Sequence, residues 1–168
     1  MTTANYNKLF SFIWNIATDV LVYAFEKGEY KKIIMPMMVL RRIDVLLEPT
    51  KDAVLKMKEQ LDKSHISNQD PLLFNVTGYP FYNTSRFTMK TLRSETDPLR
   101  LKMNFTDYLN GFSKDVQDII DKFHLRQMVD NLTEAERLGS IIEKFTDSNI
   151  NLSNKPVVDD NGKEILPA

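Results

Sequence analysis

Residues 33–51 read IIMPMMVLRRIDVLLEPTK, and this stretch carries the strongest structural pattern in the chain. Its apolar residues recur at helical spacing, which predicts an α-helix over about residues 30–47. Pro36 lies inside this run. Because proline has no backbone N–H, it predicts either a kink or the true first turn of the helix.

Two adjacent arginines interrupt the apolar run. Arg41 and Arg42 project about 100° apart around a helix, so the two side chains cannot share one role. Arg41 is three residues from Asp44, a spacing at which opposite charges on a helix meet. We therefore predict a structural ion pair between Arg41 and Asp44.

Helical periodicity extends outward from this stretch. Residues 9–25 carry two neighbouring apolar stripes, which predict a helix buried on most sides with Trp14 in the core. Met35, Met37 and Met38 fit an adaptable binding groove or a core, and their helical spacing beside other apolar residues favours the core.

The remainder of the chain is also predicted to be mainly α, as a compact multi-helix bundle. Residues 64–85 form an irregular loop region whose aromatic residues pack within the loop, and a polar C-terminal tail follows about residue 148. The other predicted helices and their start signals are 51–63 capped by Thr50, a short helix over 88–94, and helices opened by Asp97-Pro98, by Ser113 and by a Thr133–Glu136 capping box.

Composition excludes several classes of protein. The 168 residues contain no cysteine, which rules out disulfides, thiolate metal sites and a thiol nucleophile, and is compatible with a reducing cytosol. The net charge of -1 does not indicate a free-standing nucleic-acid binder. The apolar segment 9–25 is shorter than the roughly 20 residues that span a bilayer, so no membrane association is predicted.

The sequence offers no catalytic, cofactor or metal site. No two of its five glycines lie two residues apart, which excludes a dinucleotide or phosphate-binding loop. The two histidines, His65 and His124, have no neighbouring ligand pair. The acidic turn at 159–162 lacks the remaining ligands of a calcium loop, and the other carboxylates fit solvated helix faces.

The motifs of the chain resemble the start of the DNA-methylation subunit of type I restriction-modification systems. The resemblance covers about residues 5–150 and rests on motifs that occur in order and at fitting distances. They are Trp14, Glu29-Tyr30, Ile34, Pro36, Leu40-Arg41-Arg42-Ile43-Asp44, Glu48-Pro49-Thr50-Lys51, the segment FYNTSRFTM at 81–89, residues 108–112 and DIIDKF at 118–123.

The resemblance implies a cytoplasmic parent enzyme that transfers a methyl group from S-adenosylmethionine to adenine N6 in specific DNA. It also implies a complex with a specificity subunit and a restriction subunit. The sequence has neither the Gly-rich cofactor loop nor the Asn-Pro-Pro-aromatic motif of that family. We therefore interpret residues 1–150 as a helical N-terminal domain, 151–168 as a linker or strap toward a missing catalytic domain, and Ala168 as the end of a fragment.

For such a domain the resemblance implies subunit assembly and DNA engagement, without catalysis and without a cofactor of its own. Lys27, Lys31, Lys32 and Arg42 are the candidate contacts to DNA or a partner. For the lysines, a solvated helix face is the favoured alternative, and binding to DNA alone is expected to be weak. The alternative function is an unrelated helical adaptor that binds a protein through an apolar groove.

Overall fold

The structure is a computed structural model that describes residues 3–152, 157–158 and 164–166. Its described part is mainly α-helical, as predicted. The helices are α1 Thr3–Ile16, α2 Tyr30–Leu47, α3 Lys51–Lys63, α4 Asp70–Thr77, α5 Met89–Leu92, α6 Pro98–Asn110, α7 Lys114–Lys122, α8 Leu125–Glu134 and α9 Leu138–Phe145. A π-helical turn follows α1 at Ala17–Leu21, and 3-10 turns precede α2 at Lys27–Glu29 and α3 at Glu48–Thr50. Among the described residues, no helix is both long and apolar enough to cross a bilayer.

Several helix boundaries follow directly from local sequence signals. Helices α2 and α3 cover the predicted 30–47 and 51–63, and Pro36 is buried inside α2. Helix α6 begins at Pro98, where the Asp97 side chain accepts a 2.8 Å hydrogen bond from the backbone N–H of Arg100. The Asp-Pro pair is thus both an N-cap and a first turn.

The region 64–85, predicted as an irregular loop, contains helix α4. The Asp70-Pro71 pair opens it and Gly78, in the left-handed conformation at φ 71°, ends it. Helix α4 packs on α3, and together they bury a small core of Val54, Leu61 and Leu73 that is separate from the main one. The start and stop signals of this helix were therefore present in the sequence.

The helix start predicted at Thr133 is wrong, whereas Thr50 and Ser113 stand at the predicted N-cap positions of α3 and α7 without a side-chain cap hydrogen bond. Thr133 lies inside α8, where its hydroxyl donates to the carbonyl of Val129, and α9 begins only at Leu138. The Ser113 hydroxyl accepts from the backbone N–H of Tyr82 instead of capping α7. The Thr50 hydroxyl donates back to a carbonyl of α2.

Helix α6 lies at the centre of the main core. It packs against α5, α7, α8 and α9, and α2 packs against α9. Phe105, Tyr108 and Phe112 form a chain of edge-to-face ring contacts along α6, with centroids 5.7 and 5.0 Å apart. Tyr79 and Phe81 from the preceding loop stack on each other and pack on the same core, as predicted for the loop aromatics.

Helix α1 is amphipathic, not buried on most sides. One stripe packs inward: Phe12 and Ile16 are buried, and the Phe12 ring contacts Phe145 edge-on at 5.2 Å. The other stripe faces solvent, where Phe10 and Trp14 stack on each other with exposed fractions of 58% and 61%. The prediction of Trp14 in the core is therefore wrong, because no element among the described residues covers that side of α1.

The predicted linker 151–168 lies largely outside the described residues. Within it, the short strands β1 Val157–Val158 and β2 Glu164–Leu166 pair antiparallel. This pairing differs from the aperiodic tail that the sequence indicated.

Candidate functional site

The motif residues of α2 meet in a buried polar network centred on Asp44. The Asp44 carboxylate is 4% exposed, and its Oδ2 lies 2.5 Å from Arg41 Nη1. Its Oδ1 accepts a 2.9 Å hydrogen bond from the Tyr108 hydroxyl and a 3.1 Å bond from the backbone N–H of Met89. Asp44 thus joins α2 to α5 and α6, and the spacing of Arg41 and Asp44 does produce an ion pair.

A second centre of the network is Asn83, which is 3% exposed in the loop before α5. Its Oδ1 accepts from Lys51 Nζ at 3.0 Å and from the backbone N–H of Ser85 at 2.8 Å. Its Nδ2 donates to the carbonyl of Tyr108 at 2.8 Å. Asn83 therefore connects the first residue of α3 to the central helix α6.

The loop is anchored to α6 by a further bond. The Ser85 hydroxyl donates to Asp107 Oδ2 at 2.6 Å and accepts from the backbone N–H of Phe87. No buried side-chain nitrogen or oxygen among the described residues lacks a hydrogen-bond partner. The buried polar residues of 40–51 and 81–89 are therefore bonded within the chain, and the arrangement holds α2, α3, the loop and α6 together.

Burial changes the titration of two members of this network. Burial lowers the pKa of Lys51 to about 8, while the nearby carboxylates of Asp44 and Asp107 act in the opposite direction. Burial raises the pKa of the Tyr108 hydroxyl well above its ordinary value, and its charge and hydrogen-bond interactions with Asp44 add to this rise.

The lowered pKa of Lys51 predicts that the domain becomes more stable as pH rises from 8 to about 10. In this window the unfolded chain keeps the Lys51 proton, with an ordinary pKa of about 10.4, while the folded chain releases it. The free energy of unfolding should rise by less than about 1 kcal/mol per pH unit, because Lys51 is only partly buried. Urea denaturation at pH 8, 9 and 10 measures this slope.

Lys51→Met is the matched control for this slope, since it keeps an unbranched side chain one atom shorter and removes the titrating group. The variant should show no rise between pH 8 and 10. Above about pH 10 the raised pKa of Tyr108 should lower stability in both proteins, because only the unfolded chain loses the tyrosine proton there. A wild-type stability that falls from pH 8 to 9 would contradict the assignment to Lys51.

The predicted contact residues lie on different parts of the surface. Lys27, Lys31 and Lys32 are exposed, and none of them forms a salt bridge with a described residue. Arg42 is half-buried, and its Nη1 donates to the backbone carbonyl of Leu152. Arg42 therefore holds the segment that leaves the helical bundle, so at least one of its donors is used within the chain.

An apolar groove opens beside two of these lysines. It has a volume of about 480 Å³ and lies between the first half of α2 and the corner where α7 meets α8. We call it the α2–α8 groove. Its lining residues are Phe25, Glu29, Lys31, Lys32, Ile33, Met35, Pro36, Lys122, Phe123, His124, Gln127, Met128 and Asn131.

The three methionines of α2 divide between core and groove. Met37 is fully buried and Met38 packs partly buried against the core, as predicted. Met35 is 47% exposed and lines the α2–α8 groove. Its position matches the less favoured interpretation, an adaptable binding surface.

Comparison with protein families identifies the family of the chain. The HsdM N-terminal domain family matches residues 9–145, from α1 to the last residue of α9. The chain belongs to this family. HsdM is the methylation subunit of type I restriction-modification enzymes, so the resemblance read from the motifs is confirmed. No curated protein and no solved structure matches the chain.

Membership of the HsdM N-terminal domain family relates the chain to a multi-subunit enzyme. HsdM is a DNA methyltransferase subunit, and it acts in a complex with other subunits. Within the described residues of this HsdM domain, no three histidine, aspartate or glutamate side chains converge as metal ligands.

Sequence reasoning missed the roles of Asn83 and Ser85 and the wall of the groove that faces α2. One signal for Asn83 was present, because an asparagine two residues before a serine can accept its backbone N–H in an Asx turn, as seen here. That wall had no local signal, since the α7–α8 corner that forms it is far in sequence from α2.

Proposed function

We propose that this chain is the part of the methylation subunit that serves subunit assembly and DNA engagement, and that it does not perform catalysis. The parent enzyme transfers a methyl group from S-adenosylmethionine to adenine N6 in specific DNA. Its partners are the specificity subunit and the restriction subunit, and it works in the cytoplasm. The methyl donor is bound outside this chain, which contains neither a Gly-rich cofactor loop nor an Asn-Pro-Pro-aromatic motif.

The observation that carries the proposal is the contrast between the interior and the surface. Polar family motif residues such as Asp44 and Asn83 are buried and bonded to the chain itself, so they hold the fold together. Lys27, Lys31 and Lys32 are exposed without ion-pair partners among the described residues. These exposed lysines are therefore available to bind other molecules.

DNA engagement by this domain is proposed to be electrostatic and weak. Lys27, Lys31 and Lys32 cluster around the start of α2 and suit phosphate oxygens, while the net charge of -1 opposes long-range attraction to a duplex. Sequence specificity is assigned to the specificity subunit, because phosphate contacts position a protein without reading bases.

The alternative of an unrelated helical adaptor is overturned by the family match over residues 9–145. An interface role remains within the proposed function, since HsdM acts in a complex with other subunits.

Co-purification of this chain with the specificity subunit, with and without duplex DNA, tests the proposal. We expect a complex in both cases and a higher yield with DNA. For the chain alone, three phosphate contacts predict a slope of about −2.7 in a plot of log affinity against log salt.

The triple variant Lys27→Glu/Lys31→Glu/Lys32→Glu should abolish that salt dependence. Lys56→Glu/Lys114→Glu, at two other exposed lysines, should leave it unchanged. Absence of any complex with the specificity subunit, or tight sequence-specific DNA binding by this chain at physiological salt, would contradict the proposed role.

A further inference from the structure

The α2–α8 groove has an apolar surface that is unusually open to solvent. Met35 is 47% exposed and Phe123 is 39% exposed, and both line the groove. Ile33, Pro36 and Met128 also line it and are buried in the domain. A surface with exposed methionine and phenylalanine over an apolar floor is typical of a protein-binding groove.

The net charge around the groove is positive. Lys31, Lys32 and Lys122 line it, and none of them forms a salt bridge with a described residue. The one carboxylate among the described lining residues, Glu29, accepts a 3.2 Å hydrogen bond from the backbone N–H of Glu26 within a capping box. Three lysines against this one carboxylate leave the rim with a net positive charge toward whatever enters the apolar groove.

The local backbone shapes both walls. Pro36 has no N–H, so the carbonyl of Lys32 lacks its usual α-helical donor at the groove. On the opposite wall, His124 has a left-handed backbone with φ 53°, which turns the chain from α7 into α8. The groove is thus bounded by two helical walls, the arrangement that receives a third helix in helix-in-groove recognition.

We propose that the α2–α8 groove receives an amphipathic helix of another subunit of the complex, whose apolar ridge is flanked by carboxylates. The apolar ridge would cover Met35 and Phe123, and the carboxylates would pair with Lys31, Lys32 and Lys122, so the phosphate contacts proposed for Lys31 and Lys32 apply to the chain without this partner. This inference rests on the proposed role in subunit assembly and assigns that role to a particular surface.

Two other occupants fit less well. Duplex DNA would bury polar backbone groups against an apolar floor that offers them no hydrogen bonds. A second copy of this chain has exposed apolar residues at Phe10 and Trp14 and at Leu99 and Met103. Cations that form no salt bridge with a described residue neighbour them in sequence, Lys8 for the first pair and Arg100 for the second, and these repel the lysines of the groove.

Charge reversal at the groove tests the proposal by measured affinity. Binding of Lys31→Glu/Lys122→Glu to the purified specificity subunit and, separately, to the purified restriction subunit is compared with that of wild type by interferometry. We expect the dissociation constant for one subunit to rise at least about tenfold. The matched control, Lys56→Glu/Lys114→Glu, reverses two exposed lysines outside the groove and should stay within about twofold of wild type.

A photo-cross-linker identifies the occupant directly. Phe123 is replaced by benzoylphenylalanine in the assembled complex, since its half-exposed ring lies at the groove without being essential to the core. We expect a cross-link to a helical segment of another subunit that carries acidic residues beside an apolar ridge. Cross-links to DNA or to a second copy, or no cross-link in a complex that is intact, would overturn the inference.

The outcomes separate this inference from the proposed function. If wild type binds neither subunit, the assembly role itself fails. If wild type binds but both Lys31→Glu/Lys122→Glu and Met35→Asp retain full affinity, the assembly role stands and the groove is not its site. Thermal denaturation of each variant shows whether a loss of affinity comes from unfolding.

Discussion

Asp44→Asn is expected to lower the free energy of unfolding by about 3–5 kcal/mol, because it leaves the buried Arg41 guanidinium without a counter-charge. The substitution preserves shape but introduces an amide NH2 group. All three partners of Asp44 are hydrogen-bond donors: Arg41, the Tyr108 hydroxyl and the backbone N–H of Met89. The new NH2 group is also a donor, so in either orientation it faces a donor and loses a hydrogen bond. Chemical denaturation of the domain measures the loss.

Asp107→Asn is the matched control for this prediction. Asp107 is exposed and accepts from the Ser85 hydroxyl, so the same chemical change should cost no more than about 1 kcal/mol. Replacing both charges, as in Arg41→Met/Asp44→Leu, should recover part of the stability because no unpaired buried charge remains. A stability of Asp44→Asn within about 1 kcal/mol of wild type would show that the pair is not essential to folding.

Gly111→Ala is expected to destabilise the domain by about 3 kcal/mol through a backbone clash. A Cβ at Gly111 would lie 2.4 Å from the backbone nitrogen of Ser85 and 2.7 Å from Asn83 Oδ1. The loop must then move away from α6, and this movement disturbs the bonds from Asn83 to Lys51 and Tyr108. Urea denaturation measures the change.

Gly139→Ala makes the same chemical change and is expected to have the opposite effect on the stability of the domain. Its Cβ would meet only Leu101 Cδ2, at 3.6 Å, and Gly139 lies inside α9. Alanine at this helical position should stabilise the domain by about 0.5–1 kcal/mol. If Gly111→Ala were as stable as Gly139→Ala, the close approach of the loop to α6 would be absent in solution.

Local sequence signals predicted most of the helices but not how exposed each face is. The boundaries of α2 and the Asp97-Pro98 start of α6 depend on hydrogen bonds between residues a few positions apart. They can therefore be predicted from the local sequence. Trp14 shows the limit, because an apolar stripe is buried only if another element covers it. The capping-box match at Thr133 failed for a related reason, since the preceding helix α8 continues through that residue.

The candidate site was predicted only in fragments. Exposed lysines at the start of α2 were visible from the sequence, as was the pairing of Arg41 with Asp44. The wall of the α2–α8 groove around Phe123 comes from a segment about 90 residues away in the chain. No spacing rule relates such distant segments, and the groove exists only because packing in the core sets α7 and α8 beside α2.

The sequence alone determined the helical class, the family and the arginine–aspartate pair, because each depends on periodicity, motif order or a separation of three residues. The tertiary structure decided what those motifs do. It directs Asp44 inward to Tyr108 and Met89 and joins Asn83 to Lys51, and it leaves the apolar groove and its lysines on the surface. Burial and contact between distant segments are properties of packing, and packing decided which polar residues hold the fold and which remain available to partners.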